Sequence, residues 1–166
     1  PTTADSAVGL SKSTGSVLSA MGTDAASTAL LDLDGVTGLR FDGVHFDQCG
    51  GWGGASNALG YTETQAAYHA SAGYAPGQFP GFNDSAWVAI PAAIHVHGGS
   101  TDVAFVGCTF TRMGASAVMF SGGSSRGTII NSTFTDLSGS AVMLGQVDDW
   151  AETDETKQNR GFVLAH

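Results

Sequence analysis

The chain has 166 residues, 42% of them apolar and only 13% charged, which argues for one folded unit with a core and against disorder. Six Lys and Arg against 15 Asp and Glu leave a net charge of −9, which argues against nucleic acid as a partner, because phosphate binding depends on basic side chains. No apolar run approaches the ~18 residues of a membrane span, so no membrane partner is expected, and 24 glycines with abundant Ser, Thr and Ala favour short strands and tight turns over helices.

Residues 1–28 (PTTADSAVGLSKSTGSVLSAMGTDAAST) read as a Ser/Thr-rich lead-in or as one atypical structural unit begun by Val8 and Leu10. From Ala29 to Gly50, ALLDLDGVTGLRFDGVHFDQCG carries three apolar pairs, Leu31/Leu33, Leu39/Phe41 and Val44/Phe46. Each pair alternates with period 2, as a strand with one buried face requires. Residues 51–92 interrupt this grammar, and it then returns as a repeat of 24 residues: AIHVHGGSTDVAFVGCTFTRMGAS from Ala93 to Ser116 and AVMFSGGSSRGTIINSTFTDLSGS from Ala117 to Ser140. Ala141 to Gly145 opens a third copy, which a second interruption at 146–160 breaks. Ile94 and Val96 thus align with Leu31 and Leu33, Val103 and Phe105 with Leu39 and Phe41, and Cys108 and Phe110 with Val44 and Phe46. Self-similarity at this period predicts three-stranded units stacked at ~4.8 Å, none of which buries its apolar face alone.

The pattern V-x-F-x-G-C-x-F-x-x-M-G-x-x-A-V-x-F, followed by I-I-N-S-x-F-x-D-L, resembles the right-handed parallel β-helix of the pectate-lyase-like superfamily. Within it, the bacterial-type glycoside hydrolases are most similar, with a GY…QA loop ahead of PAAIxV; Gly60-Tyr61, Gln65-Ala66 and Pro91-Ala92-Ala93-Ile94 stand in those places. The likeness covers roughly residues 29–166. It implies a single all-β domain over residues 1–166, a right-handed parallel β-helix of about four rungs of ~24 residues with two long loop insertions, 51–92 and 146–160. It further implies a secreted, extracellular protein whose partner is a polysaccharide or other glycan, with hydrolysis of a glycosidic bond as its activity. Such helices are longer, so this chain is expected to be part of a longer β-helix, or to have further rungs or another chain covering its open ends. The start at Pro1 and the strand-like final stretch Gly161 to His166 agree with that expectation.

With Leu31 aligned on Ile94, one outward column reads Asp32, His95, Met119, Met143 and the next Asp34, His97, Ser121, Gly145. If the first insertion adds no full turn, Asp32 lies beside His95 and Asp34 beside His97. Carboxylates next to imidazoles set up acid–base chemistry, and they are equally at home as cross-strand pairs on a solvated face. Glycoside hydrolysis needs two carboxyl groups ~5 to 9.5 Å apart, and Asp32 and Asp34, two residues apart on one strand face, fall in that range. These four residues are the candidate catalytic set. No metal-ligand set is read from the spacing of Cys49 and Cys108, which are expected as buried thiols or as a bridge.

Elsewhere, Asp148, Asp149, Glu152 and Asp154 offer oxygens to Ca²⁺ or form a solvated acidic loop; otherwise no cofactor is expected. Trp52, Tyr61 and Trp150 in the insertions are candidates for stacking on sugar faces. Asn83 and Asn131 head glycosylation sequons, although Asn131 also suits a turn between strands. Gln48, Arg112 and Asp136 occupy one column, which predicts an Arg112–Asp136 ion pair. The low charge and small-residue surface equally fit a non-catalytic structural or glycan-binding module of an extracellular coat, filament or appendage.

Overall fold

A computed structural model gives the fold and describes residues 17–19, 29–48, 68–70, 87–89, 92–146, 149 and 151–166, with 17–19, 68–70 and 87–89 described by backbone alone. Among these residues there is no α-helix. The strands run in order β1 (Val17–Ser19), β2 (Leu31–Asp34), β3 (Arg40–Asp42), β4 (His45–Asp47), β5 (Tyr68–Ala70) and β6 (Trp87–Ala89). Then come β7 (Ile94–His97), β8 (Ala104–Val106), β9 (Thr109–Met113), β10 (Val118–Phe120), β11 (Thr128–Ile130), β12 (Thr133–Leu137), β13 (Val142–Leu144) and β14 (Val163–Ala165).

Apart from β5 and β6, consecutive strands go to different sheets. The first sheet has the order β2-β7-β10-β13, the second β3-β8-β11-β14 and the third β1-β4-β9-β12. Every pairing within the three is parallel. The chain therefore visits three sheets in turn and returns to each one strand further along, an all-β arrangement consistent with a β-helix-like solenoid. β5 and β6 form a separate antiparallel pair inside the first insertion.

The alignment of the repeats is the register of the sheets. Ile94 pairs with Leu31 and Val118, Phe105 with Phe41 and Ile129, and Phe110 with Phe46 and Phe134. In-register parallel strands place like side chains over one another at the strand spacing, and the phenylalanines use it. Phe41 stacks on Phe105 at 4.9 Å, and Phe110 lies between Phe46 at 4.9 Å and Phe134 at 4.6 Å, all with nearly parallel rings. Edge-to-face contacts such as Phe105–Phe110 join the two stacks into one core. Cys108 belongs to that core as a free thiol, and burial pushes its pKa up. Its sequence partner Cys49 lies outside the described residues.

The turns repeat as faithfully as the strands. Thr37, Thr101, Ser125 and Arg160 bridge in a parallel ladder between the first and second sheets. The corner between the second and third sheets has positive φ at Gly43, Gly107 and Asn131. Asn131 is therefore a turn residue that tolerates the left-handed region, as its sequence context predicts. The column Gln48, Arg112, Asp136 also has φ between 52° and 55° in all three copies. The expected Arg112–Asp136 pair does not form: Arg112 bonds to Asp47 on the neighbouring strand instead. Asp47 is 6% exposed, and a carboxylate taken out of water holds a cation more strongly than the exposed Asp136 does.

The second insertion returns to the ladder through Arg160 and leads into β14. Asn159 anchors it, accepting from Ser124 N at 3.0 Å and donating to Asp149 Oδ2 at 2.7 Å. The Thr156–Lys157 backbone crosses so close to Gly123 that a Cβ there would collide with the Thr156 carbonyl.

Candidate functional site

Strands β2 and β7 pair as Asp32↔His95 and Asp34↔His97, so the first insertion adds no strand between them and the four candidate side chains share one outward face. On the other face Ile94 and Val96 are fully buried, and Leu31 and Leu33 are partly buried against the same core. Alternation along an extended strand is what separates chemistry from core here.

The hydrogen bonding runs diagonally rather than straight across. His97 Nε2 lies 2.6 Å from Asp32 Oδ1, the length of a charge-assisted bond, and its Nδ1 faces Asp34 Oδ1 at 3.6 Å. His95 turns Nδ1 toward Asp32 Oδ1 at 3.8 Å, and its Nε2 meets Ser121 Oγ at 2.8 Å. The two imidazoles stack at 4.4 Å. One oxygen of Asp32 thus faces a nitrogen of each ring, while each ring's other nitrogen has a neighbour of its own.

Exposure divides the four. The side chains of Asp32 and Asp34 are 64% and 71% exposed, those of His95 and His97 only 28% and 27%. Burial holds the His95 imidazole below its ordinary pKa; the neighbouring His97 adds to this, and Asp32 and Asp34 oppose it. Met119 and Met143, which continue the column of His95, are buried with Ala92 in a small apolar cluster on the outer side of the sheet. That outward column is solvated at Asp32 and dry at the methionines.

Two further residues shape the site. Ser121, just past β10, orients His95 from the next strand across; the column alignment puts it beside His97, and the diagonal reach to His95 is a matter of side-chain rotamer that spacing does not reveal. Gly98 has φ of +64°, and a Cβ there would overlap the Asp34 carboxylate. Its missing side chain is what lets Asp34 lie along β7.

Among the described residues, Asp32, His95 and His97 are the one group of His, Cys, Asp or Glu whose ligating atoms come within 4.8 Å of one another. In the second insertion Asp149 accepts from Gln146 N, Glu152 from Asp154 N, and Asp154 from the backbone and hydroxyl of Thr156. Those carboxylates organise their own loop, and Asp148 lies outside the described residues. So do Trp52, Tyr61, Trp150 and Asn83, while Asn131 is exposed.

No protein-family model, no curated protein and no solved structure matches the chain.

Proposed function

We propose that this chain is a right-handed parallel β-helix of the pectate-lyase-like kind, and that the outer face of its first sheet hydrolyses glycosidic bonds in an extracellular polysaccharide. The observation that carries the reading is His97 held between two carboxyl groups of one strand, 2.6 Å from Asp32 and 3.6 Å from Asp34. Hydrolysis of a glycoside needs one carboxyl to protonate the leaving oxygen and another to take a proton from the attacking water. Side chains two residues apart on a strand face stand roughly 6 to 7 Å apart, within the range that leaves room for that water.

In this mechanism Asp34, the more exposed of the two, takes the water's proton as its oxygen attacks the anomeric carbon. Asp32 gives a proton to the departing sugar oxygen, so that water's two hydrogens end on the two new hydroxyl groups. His97 resets the pair by accepting from Asp34 at Nδ1 and donating to Asp32 from Nε2, and exchange with water then returns its own proton from Nδ1 to Nε2. His95, pinned by Ser121, keeps Asp32 aimed. A purified chain screened against neutral and acidic polysaccharides should show turnover that falls about 10²- to 10⁴-fold in Asp32→Asn and in Asp34→Asn. Turnover indifferent to both substitutions would remove the site.

The exposure of Asp32 and Asp34 favours a second reading, a non-catalytic extracellular module that binds glycan or builds a coat, filament or appendage. Retention on immobilised glycans without any release of reducing ends, abolished by the same substitutions, would select it.

A further inference from the structure

Beyond the glycan reading, we propose that Asp32, His95 and His97 form a binding site for a divalent late transition metal of the zinc type. Zinc takes imidazole nitrogen and carboxylate oxygen at ~2.0–2.2 Å, which sets tetrahedral ligand atoms roughly 3.4 Å apart. Here the separations are 2.6 Å for Asp32 Oδ1 to His97 Nε2 and 3.8 Å for Asp32 Oδ1 to His95 Nδ1, with all three atoms within 4.8 Å of one another. Seating a cation therefore asks for shifts of about an ångström, and Asp32, the most exposed of the three, has solvent around it in which to make them.

The outer contacts carry the inference further than the three ligands alone. A histidine can ligate through one nitrogen only if its proton sits on the other, and metal sites fix that choice with a hydrogen-bond partner behind each ring. His95 has one in place, and His97 has a carboxylate just beyond bonding distance. Ser121 Oγ stands 2.8 Å from His95 Nε2, and with the ring proton on that nitrogen the hydroxyl accepts and Nδ1 is left for the cation. Asp34 Oδ1 stands 3.6 Å from His97 Nδ1, close enough for a small side-chain rotation to close a hydrogen bond there and free Nε2. In the metal-free chain a proton on His97 Nε2 bridges to Asp32; on binding it moves to Nδ1 and turns to Asp34. Gly98 keeps Asp34 in that rear position, because any Cβ would displace its carboxylate. Three protein ligands from two adjacent strands leave the outward coordination position to water, the pattern of an open site rather than a closed structural one. The two-imidazole, one-carboxylate set selects zinc, cobalt or nickel over calcium and magnesium, which take oxygen donors.

The test is titration of the chelator-treated chain with Zn²⁺, followed by calorimetry and by the ¹⁵N resonances of the imidazoles, with Co²⁺ as an optical probe. One equivalent should bind, shifting His95 Nδ1 and both nitrogens of His97, whose Nδ1 gains the proton, while His95 Nε2 keeps its position. His95→Gln and His97→Gln should each weaken binding at least 100-fold, and the outer-contact variants Ser121→Ala and Asp34→Asn about 10- to 100-fold. Circular dichroism of each variant separates lost binding from lost fold. Stoichiometric binding that survives both histidine variants, or that disappears with Asp149→Asn and Asp154→Asn, would move the metal to the second insertion and overturn the proposal. So would a shift at His95 Nε2 with Nδ1 unmoved, or no uptake by the folded wild-type chain. The glycan reading is tested apart from this, by turnover in excess chelator. A carboxylate that ligates zinc cannot also shuttle protons, so Zn²⁺ should inhibit that turnover.

Discussion

Replacing Phe110 with alanine tests whether the phenylalanine stacks hold the sheets together. Phe110 is fully buried, lies between Phe46 and Phe134 at 4.9 and 4.6 Å, and meets the edge of Phe105 at 5.8 Å. Truncating a buried phenylalanine costs about 3–5 kcal/mol, and ring pairs contribute about 0.5–1.5 kcal/mol each beyond area burial. With parallel rings stacked on both faces, the gap left by the ring cannot close by collapse, so the loss should lie near the top of that range. Phe134, one copy later, is only partly buried and stacks on one described ring. Phe134→Ala should therefore cost about half as much, roughly 1.5–3 kcal/mol. Against a total of about 5–15 kcal/mol, Phe110→Ala removes a large share of the stability and lowers the melting temperature by about 6–20 °C. Urea titrations followed by circular dichroism at matched temperature measure both. Equal losses at the two positions, or less than about 1 kcal/mol at Phe110, would show that the stacks are incidental to stability.

Gly98→Ala should cost about 1–2 kcal/mol from its left-handed backbone alone, with an added penalty from the Asp34 carboxylate. The added part should vanish in an Asp34→Ala background, and a double-mutant cycle of unfolding free energies that finds no coupling would contradict the overlap. Arg126 bonds to both oxygens of Asp102 and holds its carboxyl below the usual range. That contribution is complete above the unfolded value of 3.8 and lost as pH falls through the folded one. Asp102→Asn should thus flatten the acid limb of the stability curve below about pH 4, and an unchanged limb would count against the pair. Cys108, buried and with a raised pKa, should resist alkylation at pH 8 in the folded chain and react at once in denaturant, as mass spectrometry would show; rapid labelling of the native thiol would place it outside the core.

Much of the architecture was legible because the copies share one period. Once Ile94 is set over Val118, the positions of Phe105, Phe110 and Asn131 follow, and the register bears them out. The pairing of Asp32 with His95 and of Asp34 with His97 needed only the premise that residues 51–92 add no strand between β2 and β7. What stayed hidden depends on side-chain torsions rather than on columns. The reach of His97 back to Asp32, and of His95 across to Ser121, is diagonal, and columns report only direct neighbours. Arg112 chose Asp47 over Asp136 for a similar reason: burial of a carboxylate depends on the third dimension of the packing, which column spacing does not show. The burial of Met119 and Met143 on an outward column has the same origin.

The bond between His97 and Asp32 joins residues 65 positions apart across a single seam, β2 against β7. The insertion between them can lengthen or shorten without disturbing it, so long as the seam closes in the same alignment. A shift of one residue along that seam would send both aspartates inward and both leucines out. Evolution is thus free to rewrite residues 51–92 for new partners, whereas deleting one residue within Leu31–Asp34 would erase fold and chemistry together.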